Sequence, residues 1–508
     1  MAKETRQIGV MKAIGARTTK ITSIYLTIVL VFGLTATLLA LPVGFLAGKA
    51  YAGFVASMLN FELFNQQISH GVLLFQFAIG TVLPVLVAFV PIYRASRISV
   101  QEALNDYGVI NSNSLKSAQS KSKFKQLLLS NSTQLAIRNT FRRKGRLILT
   151  LITLVLGGAV FITAFNIRRS LKETVNSRFT NQRYDIQAFI AKGIADTDFS
   201  SALDSLPFIA GYETWGYGRA TQLTSGSTES ELMDLKLVPL KTTLFVPELI
   251  SGIWLSGRTD EIVVNHMFLA KYPDTKLGNV ITLKANGKQK SFKVVGIIRE
   301  LFAPVTVYAS KSVLAEWSQM QGKTNSVLIA FNTSENIGVN TVKLEQWFAA
   351  KKYPISLVYR KDEYKERVVD HLVVITSMLI MVSLLLIIVG GLGLITTMGI
   401  NIVERMRELA ILRSIGVTNL KLYKLIITEG FIVGLLSWGI ATVVSVPLSY
   451  YLGNKFFNIF FETTLNFDVS FTGMFVWLGI IVLFSTVAVL VPARNAVKQS
   501  IAEGLNYE

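Results

Sequence analysis

Residues 372–403 read LVVITSMLIMVSLLLIIVGGLGLITTMGINIV, 32 positions without a charged side chain or a histidine. A helix crosses the hydrocarbon of a bilayer with roughly 20 apolar residues, and at ~1.5 Å per residue this run would reach about 48 Å. It is long enough to span a membrane and to project beyond it as a stalk. Five further runs free of charge and histidine lie outward from it, at 21–48, 71–93, 147–167, 430–454 and 469–493. Soluble cores rarely hold one stretch of that length. Six predict an α-helical polytopic membrane protein with about six transmembrane helices.

The composition agrees. Of 508 residues 51% are hydrophobic and only 16% charged, there is no cysteine, and 51 Lys and Arg face 32 Asp and Glu, for a net charge of +19. These values exclude a disordered chain, a disulfide-stapled scaffold, a thiolate metal site and a cysteine enzyme. A pI near 9.8 would raise nucleic acid as a partner, but basic nucleic-acid binders are rich in charge, and this chain is not. Its positive charge has a different distribution. The linker 94–146 holds 11 Lys and Arg against Glu102 and Asp106, whereas the loops 49–70 and 455–468 hold one each. By the positive-inside rule the linker is cytosolic. Counting spans from it places both termini and segment 404–424 in the cytosol and 168–370 outside. The first run is no cleaved leader, because Lys3, Arg6, Lys12, Arg17 and Lys20 precede an apolar stretch far longer than a signal h-region.

The expected organisation is therefore a cytosolic segment 1–20, two spans in 21–93, the basic linker 94–146, a span at 147–167, an extracellular domain 168–370, and three spans in 371–508 with a short amphipathic helix at 404–416. The extracellular domain reads as mixed α/β. Short β-type runs such as 261–265, 280–283, 292–298 and 326–331 alternate with helical stretches such as 309–320 and 340–352.

An internal repeat at an offset of 401 ties the two ends together. Arg6-Gln-Ile-Gly-Val-Met-Lys-Ala-Ile-Gly15 corresponds to Arg407-Glu-Leu-Ala-Ile-Leu-Arg-Ser-Ile-Gly416, and 90–106 matches 491–507 at seven of 17 positions without a gap. In the second copy Leu409, Leu412 and Ile415 recur at helical spacing, Arg405, Arg407, Glu408 and Arg413 take other faces, and Gly416 supplies a left-handed cap. Such a helix is too short to span. It lies at the cytosolic surface, either as a lipid-surface anchor or as a docking element for a paired partner.

Catalytic and metal-binding signatures are missing from the sequence. The nearest approach to a phosphate-cradling loop, Gly322-Lys323-Thr324, has Trp317 where its first glycine should be, and His70, His266 and His371 form no metal-ligand pattern. The expectation is no enzyme, no catalytic residue, no metal and no cofactor bound by this chain. One acid interrupts a span. Glu429 stands between 425–428 and 430–454, and its expected role is structural, facing water or pairing with Lys421 or Lys424; its counterpart in the first repeat is Ile28, against a proton relay. The aromatic cluster 450–461 reads as an interfacial belt.

The motif 8–15 with its copy 407–416, the exit Pro492-Ala-Arg-Asn-Ala496, and Leu135-Ala-Ile-Arg-Asn-Thr-Phe-Arg-Arg-Lys-Gly-Arg146 before a span resemble the FtsX-like, MacB-like permeases of ABC transporters. Segments 251–265 and 292–296 resemble that family's periplasmic core domain. Residues 147–508 follow its module order of span, extracellular domain, long span, coupling helix, span and span; residues 1–93 follow only the end of that order. The resemblance implies the C-terminal part of a two-module permease. It also implies cytosolic ABC ATPase subunits, as a dimer carrying ATP and Mg, docked on coupling helices at 4–16 and 404–416. The coupling role falls on Arg6, Met11, Lys12 and Gly15 and on Arg407, Glu408, Leu412, Arg413 and Gly416. Further implications are a multi-pass subunit of the plasma or inner membrane, in contact with lipid, that exports or extracts amphiphilic material (lipid, lipoprotein, peptide or drug) at the outer face. The alternative is mechanotransmission to an extracellular partner such as a cell-wall hydrolase, with nothing transported.

Overall fold

A computed structural model describes residues 5–59, 61–64, 69–100, 131–142, 144–224, 228–300, 303–311, 322–332 and 336–498. Most of the linker 94–146 lies outside the described residues. The chain divides into two compact units, Met1–Leu129 and Ser130–Glu508.

The first unit contains helices α1 (Thr5–Ala13), α2 (Thr18–Leu59) and α3 (His70–Ser96). The apolar stretches of α2 and α3 have mean hydropathies of 2.4 and 2.3, as bilayer-crossing helices require. Both carry internal prolines, Pro42 in α2 and Pro84 and Pro91 in α3.

In the second unit α4 (Asn131–Thr140) and α5 (Lys144–Thr180) precede an α/β domain, and α9 (Lys361–Glu404), α10 (Met406–Ser414), α11 (Asn419–Phe461) and α12 (Phe471–Lys498) follow it. The span expected at 147–167 is thus part of a longer helix that continues into the domain. At ~1.5 Å per residue α9 is about 66 Å long; it begins at Lys361 directly after a strand, and Arg360 pairs with Asp362 and Glu363 in its first turn. Helix α5 is the centre of this bundle, with more than half of its apolar stretch covered by α9, α11 and α12. Leu154 and Ile162 of α5 share one core with Ile387, Leu394, Val433, Trp477 and Ile481. At Gly158 the indole of Trp477 lies where a side chain would begin, 2.4 Å from an ideal Cβ, so only glycine admits that approach. Short polar bonds cross the apolar interior: the hydroxyls of Thr150 and Thr397 meet at 3.0 Å, and Asn166 Nδ2 donates to Ser449 Oγ at 3.1 Å.

The α/β domain is built on strands β1 (Ile186–Ala195), β2 (Ile209–Thr224), β3 (Thr228–Glu229), β4 (Met233–Val238), β5 (Glu248–Gly252), β6 (Glu261–Asn265), β7 (Val280–Ala285), β8 (Lys288–Arg299), β9 (Thr306–Ser310), β10 (Lys323–Phe331) and β11 (Ile355–Arg360). They pair in the order β11-β1-β10-β2-β4-β9-β6-β8-β5, with β3 on β2 and β7 bridging β2 and β8; β4–β9 and β6–β8 are parallel and the other pairs antiparallel. Helices α6 (Asp196–Asp204) and α8 (Ile337–Ala350) cover one face of β1 and β10, where Phe199, Leu344 and Phe348 pack on Ile186, Val327 and Ile329. Helix α7 (His266–Lys271) closes a second core through Phe268. A helix expected from 309 does not begin there. Thr306–Ser310 is a strand buried at every position, paired on both sides by β4 and β6, and such continuous burial hides the period that alternation would give; residues 312–320 lie outside the described residues.

A side-chain hydrogen bond ties this domain to the outer end of α11. His266 Nε2 lies 2.8 Å from the Phe461 carbonyl while Glu300 N–H points at Nδ1 from 3.4 Å, which places the ring proton on Nε2. Burial holds the His266 pKa below its usual range. The aromatic cluster 450–461 is partly drawn inward, since Phe457 is fully buried against a core that includes Phe179 and Tyr364.

Candidate coupling site and its buried carboxylate

One residue, Arg405, separates the long helix α9 from α10, with φ −107° and ψ 12°. Its carbonyl accepts the first bond of the new helix from Leu409 N–H at 2.9 Å. Met406, Leu409 and Ala410 form the buried face, and Met406 and Leu409 join the bundle core. The expected stripe Leu409, Leu412, Ile415 needs correction: Leu412 is half-buried and Ile415 is 72% exposed, because the helix ends at Ser414 and Ile415 leaves with the cap. Gly416 has φ +95°, Gly416 N–H reaches the Arg413 carbonyl at 3.0 Å and Val417 N–H the Leu412 carbonyl at 3.0 Å. Arg407 is exposed and Arg413 half-buried.

The first unit repeats this geometry on α1. Ile8 is buried where Leu409 is, Ile14 is 80% exposed where Ile415 is, and Gly15 has φ +94°. Gly15 N–H reaches the Lys12 carbonyl at 2.9 Å and Ala16 N–H the Met11 carbonyl at 2.9 Å, the same pair of bonds. Met11 and Lys12 are half-buried, and Lys12 Nζ donates to the Ile98 carbonyl just beyond α3 at 2.7 Å. Arg6 belongs to α1; its side chain lies outside the description. The two sets of candidate residues thus fall on two separate helices of one design.

Glu429 is 4% exposed, and its expected partners are corrected. Its Oε1 accepts from Arg405 Nη1 at 2.8 Å and from Asn139 Nδ2 at 2.9 Å, while Lys421 and Lys424 are exposed. At about 100° per residue, Lys424 sits roughly 140° round the helix from Glu429. Neighbouring pairs extend the cluster. Glu408 takes Arg142 at 2.9 Å and Arg405 Nε at 3.3 Å; Arg146 pairs with Glu404 and donates to Asn401 Oδ1 at 3.1 Å. Burial pushes the Glu408 pKa up, but the hydrogen bonds and charges of Arg142 and Arg405 outweigh it and hold the carboxyl below its ordinary value. Asn139, Arg142, Arg146 and Arg405 were not among the expected site residues. The partners of Asn139, Arg142 and Arg146 lie 255 to 290 positions away, and the signal that pointed to those three was the basic stretch 135–146; Arg405 reaches Glu429 24 positions on.

The α/β domain has a cavity of about 250 Å³ lined by Phe179, Phe189, Tyr217, Tyr359, Tyr364 and charged groups including Asp234 and Lys236. Phe189 meets Tyr217 and Tyr359 edge to face at 5.3 and 5.9 Å. Among the described residues no cluster of His, Asp or Glu could hold a metal ion.

Among the described residues, six long apolar helices, two matched short helices and an inserted α/β domain define a multi-pass membrane protein. Residues 1–100 and 380–501 match the family described as FtsX-like permease C-terminal, and residues 147–345 the MacB-like periplasmic core domain. The chain belongs to the FtsX-like, MacB-like ABC transporter permeases, a family of non-catalytic subunits that work in general with cytosolic ABC ATPases. Among solved structures the chain is similar to the periplasmic region of MacB from Actinobacillus actinomycetemcomitans (13% identity, TM-score 0.28, covering 38% of this chain and 96% of that one). It is also similar to the extracellular domain of the noncanonic ABC-type transporter YknZ from Gram-positive bacteria (12%, TM-score 0.24, 30% and 87%). A third similarity is to a domain of a putative permease from Porphyromonas gingivalis (10%, TM-score 0.24, 35% and 88%). No curated protein matches the chain.

Proposed function

We propose that the chain is the membrane subunit of an ABC transporter, in which ATP hydrolysis by separate cytosolic ATPase subunits drives export or extraction of amphiphilic material at the outer face. Both termini lie in the cytosol in this reading, and the α/β domain lies outside. The observation that carries it is the pair α1 and α10, each with one buried face, an exposed isoleucine just before the cap and one left-handed glycine cap at equivalent positions. A simple lipid-surface anchor needs no such matched cap, whereas two equivalent docking helices suit a partner with two equivalent sites. The Lys and Arg excess of 94–146 supports the orientation.

Arg407→Glu with Arg413→Glu should abolish copurification of a coexpressed ABC ATPase subunit while membrane insertion is retained. Undiminished copurification would sink the docking assignment. In reconstituted complexes, ATPase stimulation by candidate amphiphiles marks a transporter; stimulation only by an extracellular protein marks a regulator of that protein.

A further inference from the structure

Glu429 gathers three elements. It stands on α11, and its carboxylate holds Arg405 at the α9–α10 joint and Asn139 on α4. A one-residue break between two helices would ordinarily be a hinge, since Arg405 departs from helical geometry and its neighbours carry no continuous ladder through it. Here the hinge residue is itself pinned. Its guanidinium is bound to a carboxylate 4% exposed, and breaking a buried pair leaves an uncompensated charge that the interior does not tolerate. Two pairs beside it repeat the linkage, since Arg142 reaches Glu408 on α10 and Arg146 reaches Glu404 at the end of α9. The side chains of 139, 142 and 146 therefore hold α11, α10 and α9 in turn.

We infer that Glu429 locks α10 against α11 and α4, so that a displacement of α10 is passed into the bundle as a body rather than absorbed at Arg405. Glu429 is a positioning residue: it acts through Arg405 and Asn139 and touches no partner itself. The first repeat is built differently. At the offset of 401, Ile28 replaces Glu429 and Glu4 replaces Arg405, so the same pair cannot form, and α1 is held instead near its other end, by Lys12 on the Ile98 carbonyl. That α10 receives its displacement from an ATPase rests on the function proposed above; the lock itself does not.

The chain has no cysteine, so introduced labels are unique. Pulsed EPR on the full chain in lipid nanodiscs, with Ile415→Cys on the exposed end of α10 and Leu435→Cys on the exposed face of α11, should give one narrow distance. Glu429→Gln should broaden it and add a second component, Asn139→Ala should broaden it less, and the exchange Arg405→Glu with Glu429→Arg should restore a single narrow distance. Labels at Ile14→Cys and Leu39→Cys should give a broader distribution without any further change. A Glu429→Gln distribution as narrow as the parent's overturns the lock. Should that variant fail to fold, Arg405→Gln and Asn139→Ala decide, and unchanged narrow distances in both overturn it equally. The measurement needs no ATPase, so loss of the docking assignment would leave the lock readable, and a broad parent distribution with intact docking would sink the lock alone.

Discussion

The helices Thr5–Ala13 and Met406–Ser414 share a backbone but not an anchorage. Both bury one apolar residue at the same step of the repeat, expose an isoleucine at the last, and stop at a glycine with φ near +95°. Yet the second is tied at its start by Arg405 to a buried carboxylate, while the first is tied near its end by Lys12 to the Ile98 carbonyl. The difference teaches that the repeat preserves the exposed side and its termination, as the proposed docking role requires, and lets the inner attachment vary. Polar groups that face inward are selected by what surrounds them, and only the second helix meets a span with a carboxylate at the right depth.

The sharpest way to break the shared part is at the caps. Gly15→Ala and Gly416→Ala each force an L side chain into a positive φ, which costs about 1–2 kcal/mol. Neither glycine has any atom within 4 Å of an added Cβ, so no new packing compensates and the two losses should be equal. Hydrogen exchange at Ala16 and Val417, whose amides close the caps, should quicken by about tenfold in each variant. A large inequality between them would show that the caps are not equivalent.

A smaller effect separates the outer end of the second unit. His266 is more easily protonated in the unfolded chain than in the folded one, where burial and the nearby Arg299 oppose the charge and the Phe461 carbonyl, Glu300 and Glu462 only partly favour it. The stability that the neutral ring contributes is therefore fully present above the ordinary histidine pKa near 6.5 and is lost as pH falls below it, levelling once the folded form is also protonated: protonation charges a buried ring and takes Nδ1 from Glu300 N–H, while Nε2–H still donates to the Phe461 carbonyl. The loss should be about 1 kcal/mol, the net worth of one hydrogen bond. Thermal unfolding of the full chain should shift downward between pH 7.5 and 5, and His266→Gln, which keeps a donor without a titrating ring, should lose that shift. An equal shift in both proteins would remove His266 from the latch.

Much of this was legible in the sequence, for physical reasons that also set its limit. Uncharged runs marked the six long helices because lipid tolerates nothing else, and strands such as 261–265 and 326–331 showed in their β-branched content. The left-handed cap at Gly416 followed from a residue type with few other reasons to stand there, and the structure adds its counterpart at Gly15. Glu429 is visible in the sequence as a lone acid in a span, but the sequence offers only Lys421 and Lys424 of the same helix as its partners. Asn139 comes from 290 positions away, and only packing of α4 against α11 brings it close. The strand 306–310 failed for a related reason, since burial on both faces erases the alternation that identifies a strand.

The smallest expected effect tests how far the difference between the two helices reaches. Position 408 carries Glu and its counterpart, position 7, carries Gln, so Glu408→Gln converts the second helix toward the first. Glu408 pairs with Arg142 and Arg405, but Glu408 and Arg142 are both about half exposed, where such pairs contribute roughly 0–1 kcal/mol and are screened by salt. The Arg405–Glu429 pair is deeper and survives the change. If α10 is held chiefly by Glu429, Glu408→Gln should leave the Ile415–Leu435 distance distribution unaltered and lower thermal stability only slightly, by less at high salt than at low. A broadening as large as that of Glu429→Gln would mean that the surface pair carries the attachment, and that the two helices differ by their exposed charges rather than by a buried one.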